Sequence, residues 1–343
     1  MEVLSVGEVL IDWVSPERGA TLNSAETFHP APGGAPANVA VGLSRLGVKA
    51  GFAGKLSLDA WGERLLGLLR AEGIDTRGVI RDDEADTRMA YVLLDEAGER
   101  HLAAFSKQAA DQRLTASEVD GFPLEGVKIL YMSSMMQAQR PSQEAFRRMV
   151  ARAKEAGALL VYDPNYRPVL WTDPPGAEAR RTESQEAKPR GSEARAAEAL
   201  EEACRQADLI KLGTEELAFL SGTRDLRDGM RQIWERFDPA LLVVTDGPMG
   251  SFWKNSASEG HVQAIAVPTL DPTGAGDGFV AGLLAGLLEE GADPATVRWL
   301  PQETMEPLLR RANGVGALVA TKLGAMTALP TRQELDAWLL NCE

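Results

Sequence analysis

Hydrophobic positions along the chain alternate between short continuous runs and helix-spaced sets. The first run, Val3-Leu4-Ser5-Val6, closes at Gly7 and predicts a buried strand. Gly33-Gly34-Ala35-Pro36-Ala37 then leads into apolar positions at Val39, Leu43 and Leu46, a helix with Pro36 in its first turn and Gly47 just past its end. From Lys128 onward, strand-like runs at 129–132, 159–162, 209–212 and 241–244 alternate with helical patterns near 142–156, 193–206, 215–220, 276–290 and 303–320. That alternation predicts an α/β fold with parallel strands and crossover helices.

Two segments break the rhythm. Met89 to Asp95 and Arg100 to Phe105 flank Glu96-Ala97-Gly98-Glu99 and read as an antiparallel hairpin. With residues near 12–30 they predict a small sheet projecting from the main body. The stretch 172–195 is rich in Pro, Glu, Arg, Ser and Ala and reads as an exposed, mobile insertion leading into a helix. No internal repeat is visible.

Composition narrows the chemistry. The 343 residues carry 36 Lys plus Arg against 50 Asp plus Glu, a formal charge of −14, which argues against a nucleic-acid or anionic-membrane partner. It leaves room for small anions held by local N–H groups. Two cysteines, Cys204 and Cys342, and three scattered histidines make no zinc-ligand spacing. The longest apolar run, Phe279 to Leu288, is far short of the ~20 residues a membrane helix needs. The N-terminus has no basic, leader-like region, so a cytoplasmic setting is the expectation.

The candidate chemistry concentrates in Asp271-Pro272-Thr273-Gly274-Ala275-Gly276-Asp277-Gly278-Phe279. A glycine-rich turn feeds a helix, so free N–H groups and the helix dipole meet at a place suited to a phosphate. Asp277 falls in the first helical turn, where a carboxylate can take a proton from an attacking hydroxyl. Gly278, Gly282 and Gly286 recur every four residues and read as a packing stripe. No Gly-x-x-x-x-Gly-Lys-Ser/Thr loop occurs, and no Gly-x-Gly-x-x-Gly follows the first strand, which sets aside P-loop enzymes and weakens a nicotinamide dehydrogenase.

The 271–279 stretch resembles the C-terminal signature of the ribokinase-like (PfkB-type) carbohydrate kinases. Gly33-Gly34-Ala35-Pro36-Ala37-Asn38-Val39-Ala40, followed by Arg45-Leu46-Gly47, resembles their N-terminal signature. The resemblance spans nearly the whole chain and implies one kinase domain over 1–343, a three-layer α/β/α core with a β-sheet lid from about 12–32 and 86–108. It implies that Asp277 is the general base and that the N–H groups of Gly274, Ala275 and Gly276 hold the charge of the transferring phosphoryl group. Asp12, Gly33, Gly34 and Asn38 would bind the sugar.

Asp163-Pro164-Asn165-Tyr166-Arg167-Pro168-Val169-Leu170-Trp171 is similar to a segment of fructokinases and 2-keto-3-deoxygluconate kinases, with Arg167 reaching the substrate. By the same resemblance ATP would lie along Thr245, Gly247 and Gly250, with Lys211, taken as ending a strand, near its phosphates and Asn313 near adenine. Asp271 would hold a monovalent cation such as K+. Where the family carries Asn-x-x-Glu around magnesium, this chain reads Gly213-Thr214-Glu215-Glu216, so Glu216 would act on Mg2+ indirectly and Thr214 would cap the next helix. A homodimer through the lid is also implied.

The implied reaction is ATP- and Mg2+-dependent transfer to a primary hydroxyl, with D-fructose the first choice of sugar. 2-Keto-3-deoxygluconate is the rival. Ala104-Phe105-Ser106-Lys107-Gln108 holds no Arg or Tyr for an acid sugar, whereas Lys107 and Arg167 keep that rival open. A catalytically silent sugar-binding regulator on the same fold is the alternative from another class.

Overall fold

The first apolar run forms β1 (Val3–Val6), whose residues are all buried because both faces of the strand are covered. The computed structural model describes residues 1–97, 100–106, 108–171 and 191–342. After β1 come β2 (Leu10–Arg18), β3 (His29–Gly33), α1 (Ala35–Arg45), β4 (Ala50–Ser57), α2 (Ala60–Ala71), β5 (Asp75–Asp82), β6 (Met89–Leu94) and β7 (Arg100–Phe105). The middle of the chain holds α3 (Ala116–Val119), β8 (Ile129–Met132), α4 (Ser142–Glu155), β9 (Leu159–Tyr162), α5 (Ser192–Cys204), β10 (Leu209–Gly213) and α6 (Thr214–Ser221). The remainder is α7 (Leu226–Phe237), β11 (Leu241–Thr245), β12 (Ser251–Asn255), β13 (Glu259–Val262), α8 (Ala275–Glu289), α9 (Gln302–Ala320) and α10 (Arg332–Leu340).

A nine-stranded sheet runs in the order β13-β12-β11-β10-β9-β8-β1-β4-β5. The pairs from β11 through β5 are parallel, and β12 and β13 add an antiparallel edge. Side chains alternate across it: Val3 joins the core beneath α1, α2, α8, α9 and α10, whereas Leu4 and Val6 join the core beneath α3 to α7. Helices therefore cover both faces, giving three layers.

The second sheet has the order β3-β2-β6-β7. β6 and β7 are the expected antiparallel hairpin, and β2 joins β6 in parallel. Trp13 on β2 meets Trp61 on α2 edge to face at 5.5 Å, which docks the back of this sheet on the body. Of the expected 172–195 insertion, 172–190 lie outside the described residues and Ser192 to Arg195 open α5.

The Gly278/Gly282/Gly286 stripe is packing. A Cβ on Gly282 would stand 2.9 Å from the Cα of Ala312, and one on Gly278 2.9 Å from Val319, so α8 and α9 lie against each other backbone to side chain. Among the described residues no helix is long and apolar enough to cross a membrane.

Candidate active site

The parallel strands deliver their following loops to one edge of the sheet, the usual place for a ligand in an open α/β fold. Glu8 follows β1, Asp163 follows β9, Gly213 ends β10 and Thr245 ends β11. The small sheet overhangs this edge, with Asp12 from β2 and Arg100 from β7 lining the same cavity.

The glycine-rich turn before α8 is built as its sequence requires. Gly274 is left-handed, at φ 80°, and a Cβ there would press on the backbone of Ala325 at 2.7 Å. The expected set of three N–H donors needs correction. Ala275 donates its N–H to the Pro272 carbonyl at 3.1 Å to close the turn, while among the described residues the N–H groups of Gly274 and Gly276 meet no acceptor.

Asp277, in the first turn of α8, accepts from Asn38 Nδ2 at 2.7 Å across a chain separation of 239 residues. Burial raises its carboxyl above the ordinary range, opposed by Asn38, Lys211 and Arg167. The Oδ1 of Asn38 is buried without a partner and is an acceptor open to a hydroxyl donor.

The Gly33-Gly34 pair is imposed by packing. A side chain on Gly33 would overlap the Asp12 carboxylate, and Gly34, at φ 103°, has the Glu8 carbonyl 2.7 Å from where its Cβ would be. Burial pushes Asp12 up to about 6, while Arg100 and Arg167 pull it down. Glu8 is 2% exposed, accepts from the Ala35 N–H at 3.2 Å, and is pushed by burial up to about 8.

Glu8, Asp12, Asn38, Arg100, Arg167 and Asp277 share one cavity of about 610 Å³. Thr245, Gly247, Gly250, Gly276, Phe279 and Asn313 share another of about 610 Å³. Gly250, at φ 92°, could bear no side chain without overlapping the Val262 carbonyl, which Asn313 Nδ2 also reaches at 3.0 Å. Between the two lies a polar cleft with Asp163, Lys211, Asp271 and the 273–277 turn.

Several expected placements change. Lys211 is mid-strand in β10, not at its end, and pairs with Asp163 at 3.2 Å, both nearly fully buried. Burial pulls the Lys211 ammonium down and Asp163 with Glu216 more than offsets this, while burial raises Asp163 to about 7. Thr214 does not cap α6: Gly213 is the extended residue before the helix and Thr214 is already helical. Glu216 reaches back instead, accepting from the Gly213 N–H and the Tyr166 N–H, each at 2.7 Å. Its carboxylate thus ties β10 to the 163–171 segment.

Arg167 is exposed, donates to its neighbouring Tyr166 carbonyl at 3.2 Å, and lines the sugar-side cavity. Lys107 lies outside the described residues. The second strand of the hairpin does carry a cation over the cavity, because Arg100 begins it. Its Nη1 meets Asp271 Oδ2 at 2.9 Å and Thr273 Oγ1 at 3.4 Å. Asp271 also accepts from the N–H groups of Thr273 at 3.1 Å and Gly324 at 2.7 Å.

Comparison with known proteins places this site in a class. Residues 1–332 match the pfkB family carbohydrate kinases, and the chain belongs to that family. It is a sugar kinase, a phosphotransferase with an alcohol group as acceptor, on the expected three-layer ribokinase-like fold with a small second sheet. The chain is 37% identical over 334 residues to Fructokinase-1 of Oryza sativa subsp. japonica, covering 97% of this chain and 96% of that one. Among solved structures, the fructokinase of Xylella fastidiosa with bound ATP aligns at a TM-score of 0.83 and 30% identity, covering 99% of this chain and 98% of that one. The fructokinase of Vibrio cholerae O395 in its fructose, ADP and calcium ion bound form aligns at 0.79 and 30% identity, covering 98% of each.

Proposed function

We propose that the protein transfers the γ-phosphoryl group of Mg-ATP to the primary hydroxyl of D-fructose, giving fructose 6-phosphate. One observation carries the reading: Asp277 is the buried carboxylate at the head of α8, facing the cavity that also holds Asp12 and Asn38. Fructose lies there with its hydroxyls on Asp12, on the buried acceptor of Asn38 and on the backbone at Gly33 and Gly34. Asp277 takes the proton of the O6 hydroxyl as O6 bonds to phosphorus and the bond to the β,γ-bridging oxygen breaks. ADP leaves with that oxygen. The N–H groups of Gly274 and Gly276 and the Lys211 ammonium hold the charge on the phosphoryl oxygens.

The nucleoside end of ATP occupies the cavity along Thr245, Gly247 and Gly250, with Asn313 near its base; the apolar walls from Ile265 and Phe279 suit an adenine. Mg2+ enters as part of the substrate, offsetting phosphate charge. Among the described residues no group of three or more His, Cys, Asp or Glu gathers to hold a metal, and both Glu216 oxygens already accept backbone N–H groups. That donor set suits an ion carried by phosphates and water, with Glu216 acting through the segment it anchors. The chain works as one domain in the cytoplasm, its small sheet closing as a lid that excludes water and offering a dimer surface.

A second reading keeps the mechanism and changes the sugar. Arg100 and Arg167 both face the sugar-side cavity, and a guanidinium there suits the carboxylate of 2-keto-3-deoxygluconate. The test is ADP release with Mg-ATP across fructose, 2-keto-3-deoxygluconate, ribose, adenosine and a no-sugar blank. Fructose is expected to drive release. Release driven by the keto-deoxy acid would reverse the sugar, and silence with ATP still bound would favour a non-catalytic regulator.

The carboxylates give the reaction a pH signature. Asp277, raised above the ordinary range, must be ionised to take the O6 proton, and Asp12, raised to about 6, accepts from sugar hydroxyls more strongly when ionised. Because both titrate above the ordinary carboxylate range, kcat/KM for fructose is expected to fall as pH drops from 7.5 through about 6. A profile flat down to pH 5 would remove both from those roles.

A further inference from the structure

Arg100 stands where the two halves of the site meet. It opens β7 of the small sheet, yet its guanidinium lies on Asp271 and within 3.4 Å of Thr273, the residue that enters the glycine-rich turn. It lines both the sugar-side cavity and the cleft containing Lys211. Acidic residues line both spaces: Asp12 and Asp277 the sugar-side cavity, Asp163, Asp271 and Asp277 the cleft. Lys211 is engaged by Asp163 at 3.2 Å, and Arg167 lines the same cleft, so among the described residues Arg100 is the one cation there that the small sheet supplies.

A guanidinium has donors on Nε, Nη1 and Nη2, and among the described residues only Nη1 of Arg100 is engaged. Its side chain keeps 22% of its surface exposed while Asp271 keeps 1%, so the unengaged donors face the open cleft and the carboxylate does not.

We propose that Arg100 is a catalytic residue of the phosphoryl transfer, carried to the γ-phosphoryl group of the nucleotide by the small sheet and parked on Asp271 until that group arrives. The proposal rests on the kinase reading and adds a residue to it. Arg100 holds the charge that develops on the phosphoryl oxygens, beside the donors of the glycine-rich turn. Asp271 and Thr273 keep the side chain in place in the absence of nucleotide, so Arg100 links closure of the sheet to the presence of a third phosphate.

The test separates a phosphoryl contact from a sugar contact and from a merely structural latch. Arg100→Met and Arg100→Lys are compared with wild type in two measurements. The first is steady-state phosphorylation of fructose, where Arg100→Met is expected to lower kcat by about a hundredfold or more with fructose KM changed less than threefold. Arg100→Lys, which keeps the charge but loses the fork of donors, is expected to recover part of that loss. The second is calorimetric binding of magnesium AMP-PNP and of magnesium ADP with fructose present. Arg100→Met is expected to weaken AMP-PNP at least tenfold and ADP less than threefold, since only AMP-PNP has the third phosphate.

Equal effects on both nucleotides, or none, would overturn the proposal, as would a raised fructose KM at unchanged kcat. Should Arg100→Met not fold, Arg100→Lys gives the same nucleotide comparison with a smaller expected ratio. If wild type phosphorylates no fructose, the substrate reading fails by itself, and the AMP-PNP to ADP ratio still decides for or against Arg100.

Discussion

Asp277→Asn is expected to lower kcat for sugar phosphorylation by at least about a hundredfold while leaving sugar and ATP binding within a few-fold of wild type. The carboxamide keeps the size of the side chain and an oxygen that can accept from Asn38 Nδ2, now at 2.7 Å from Asp277. The N-terminal end of α8 and its turn should therefore stay in place. What is lost is the ability to take a proton. A hundredfold corresponds to about 2.7 kcal/mol of transition-state stabilisation. The loss should appear in kcat and not in KM, because the proton moves only as the new oxygen–phosphorus bond forms. Turnover near wild type, with folding and binding intact, would remove Asp277 from the role of base.

Gly274→Ala is expected to be nearly as damaging for a different reason. Gly274 sits at φ 80°, and the added methyl would meet Ala325 Cβ at 2.6 Å and Cα at 2.7 Å. The left-handed conformation costs an alanine about 1–2 kcal/mol, and the backbone contact can be relieved only by moving the turn. The donors at Gly274 and Gly276 then no longer converge on one phosphoryl group, and a displacement near 1 Å can cost about a hundredfold. Kinetics should show kcat down by about that factor together with a lower melting temperature. Gly291→Ala is the control. Gly291 is also left-handed, at φ 66°, but its Cβ would have nothing within 4 Å and it lies beyond the far end of α8. It should lose stability without losing turnover. Equal kinetic loss in both variants would mean that strain, and not the geometry of the turn, sets the effect.

Much of the core was legible because its strands are buried on both faces. β1, β8 and β9 are short uninterrupted apolar runs with helix-spaced segments between them, and sequence and structure agree on their limits. β4 is harder to read. It contains Gly51, Gly54 and Lys55, and a side chain on Gly54 would overlap the carbonyl of Gly7, just past the end of the neighbouring β1. That requirement belongs to the packed sheet and leaves no periodic trace. α7 is absent from the helical patterns read along the sequence although its signal is present: Asp225 caps it, and Met230, Ile233 and Phe237 fall three and four residues apart on its buried face.

In the site, the residues inside recognisable motifs arrive together. Asn38 and Asp277 meet although they lie in opposite ends of the chain, and Thr245, Gly250 and Asn313 line one cavity. Glu8 and Arg100 belong to no such motif reading. An acidic residue directly after the first buried strand was a signal for Glu8, since ligands gather at the carboxyl ends of such strands. Arg100 gave none. It looks like a hairpin residue until the small sheet folds over the glycine-rich turn. The capping role of Glu216 was hidden similarly, because Gly213 has no side chain to suggest that a carboxylate three residues later would satisfy its N–H.

The central claim is that this site moves a phosphoryl group from ATP to the primary hydroxyl of fructose. Its most direct test is phosphorus NMR of the products formed from fructose and Mg-ATP by the purified protein. The expected result is ADP and fructose 6-phosphate in equal amounts, with no excess of inorganic phosphate. ADP accompanied by free phosphate and no sugar ester, or no consumption of ATP, would contradict it.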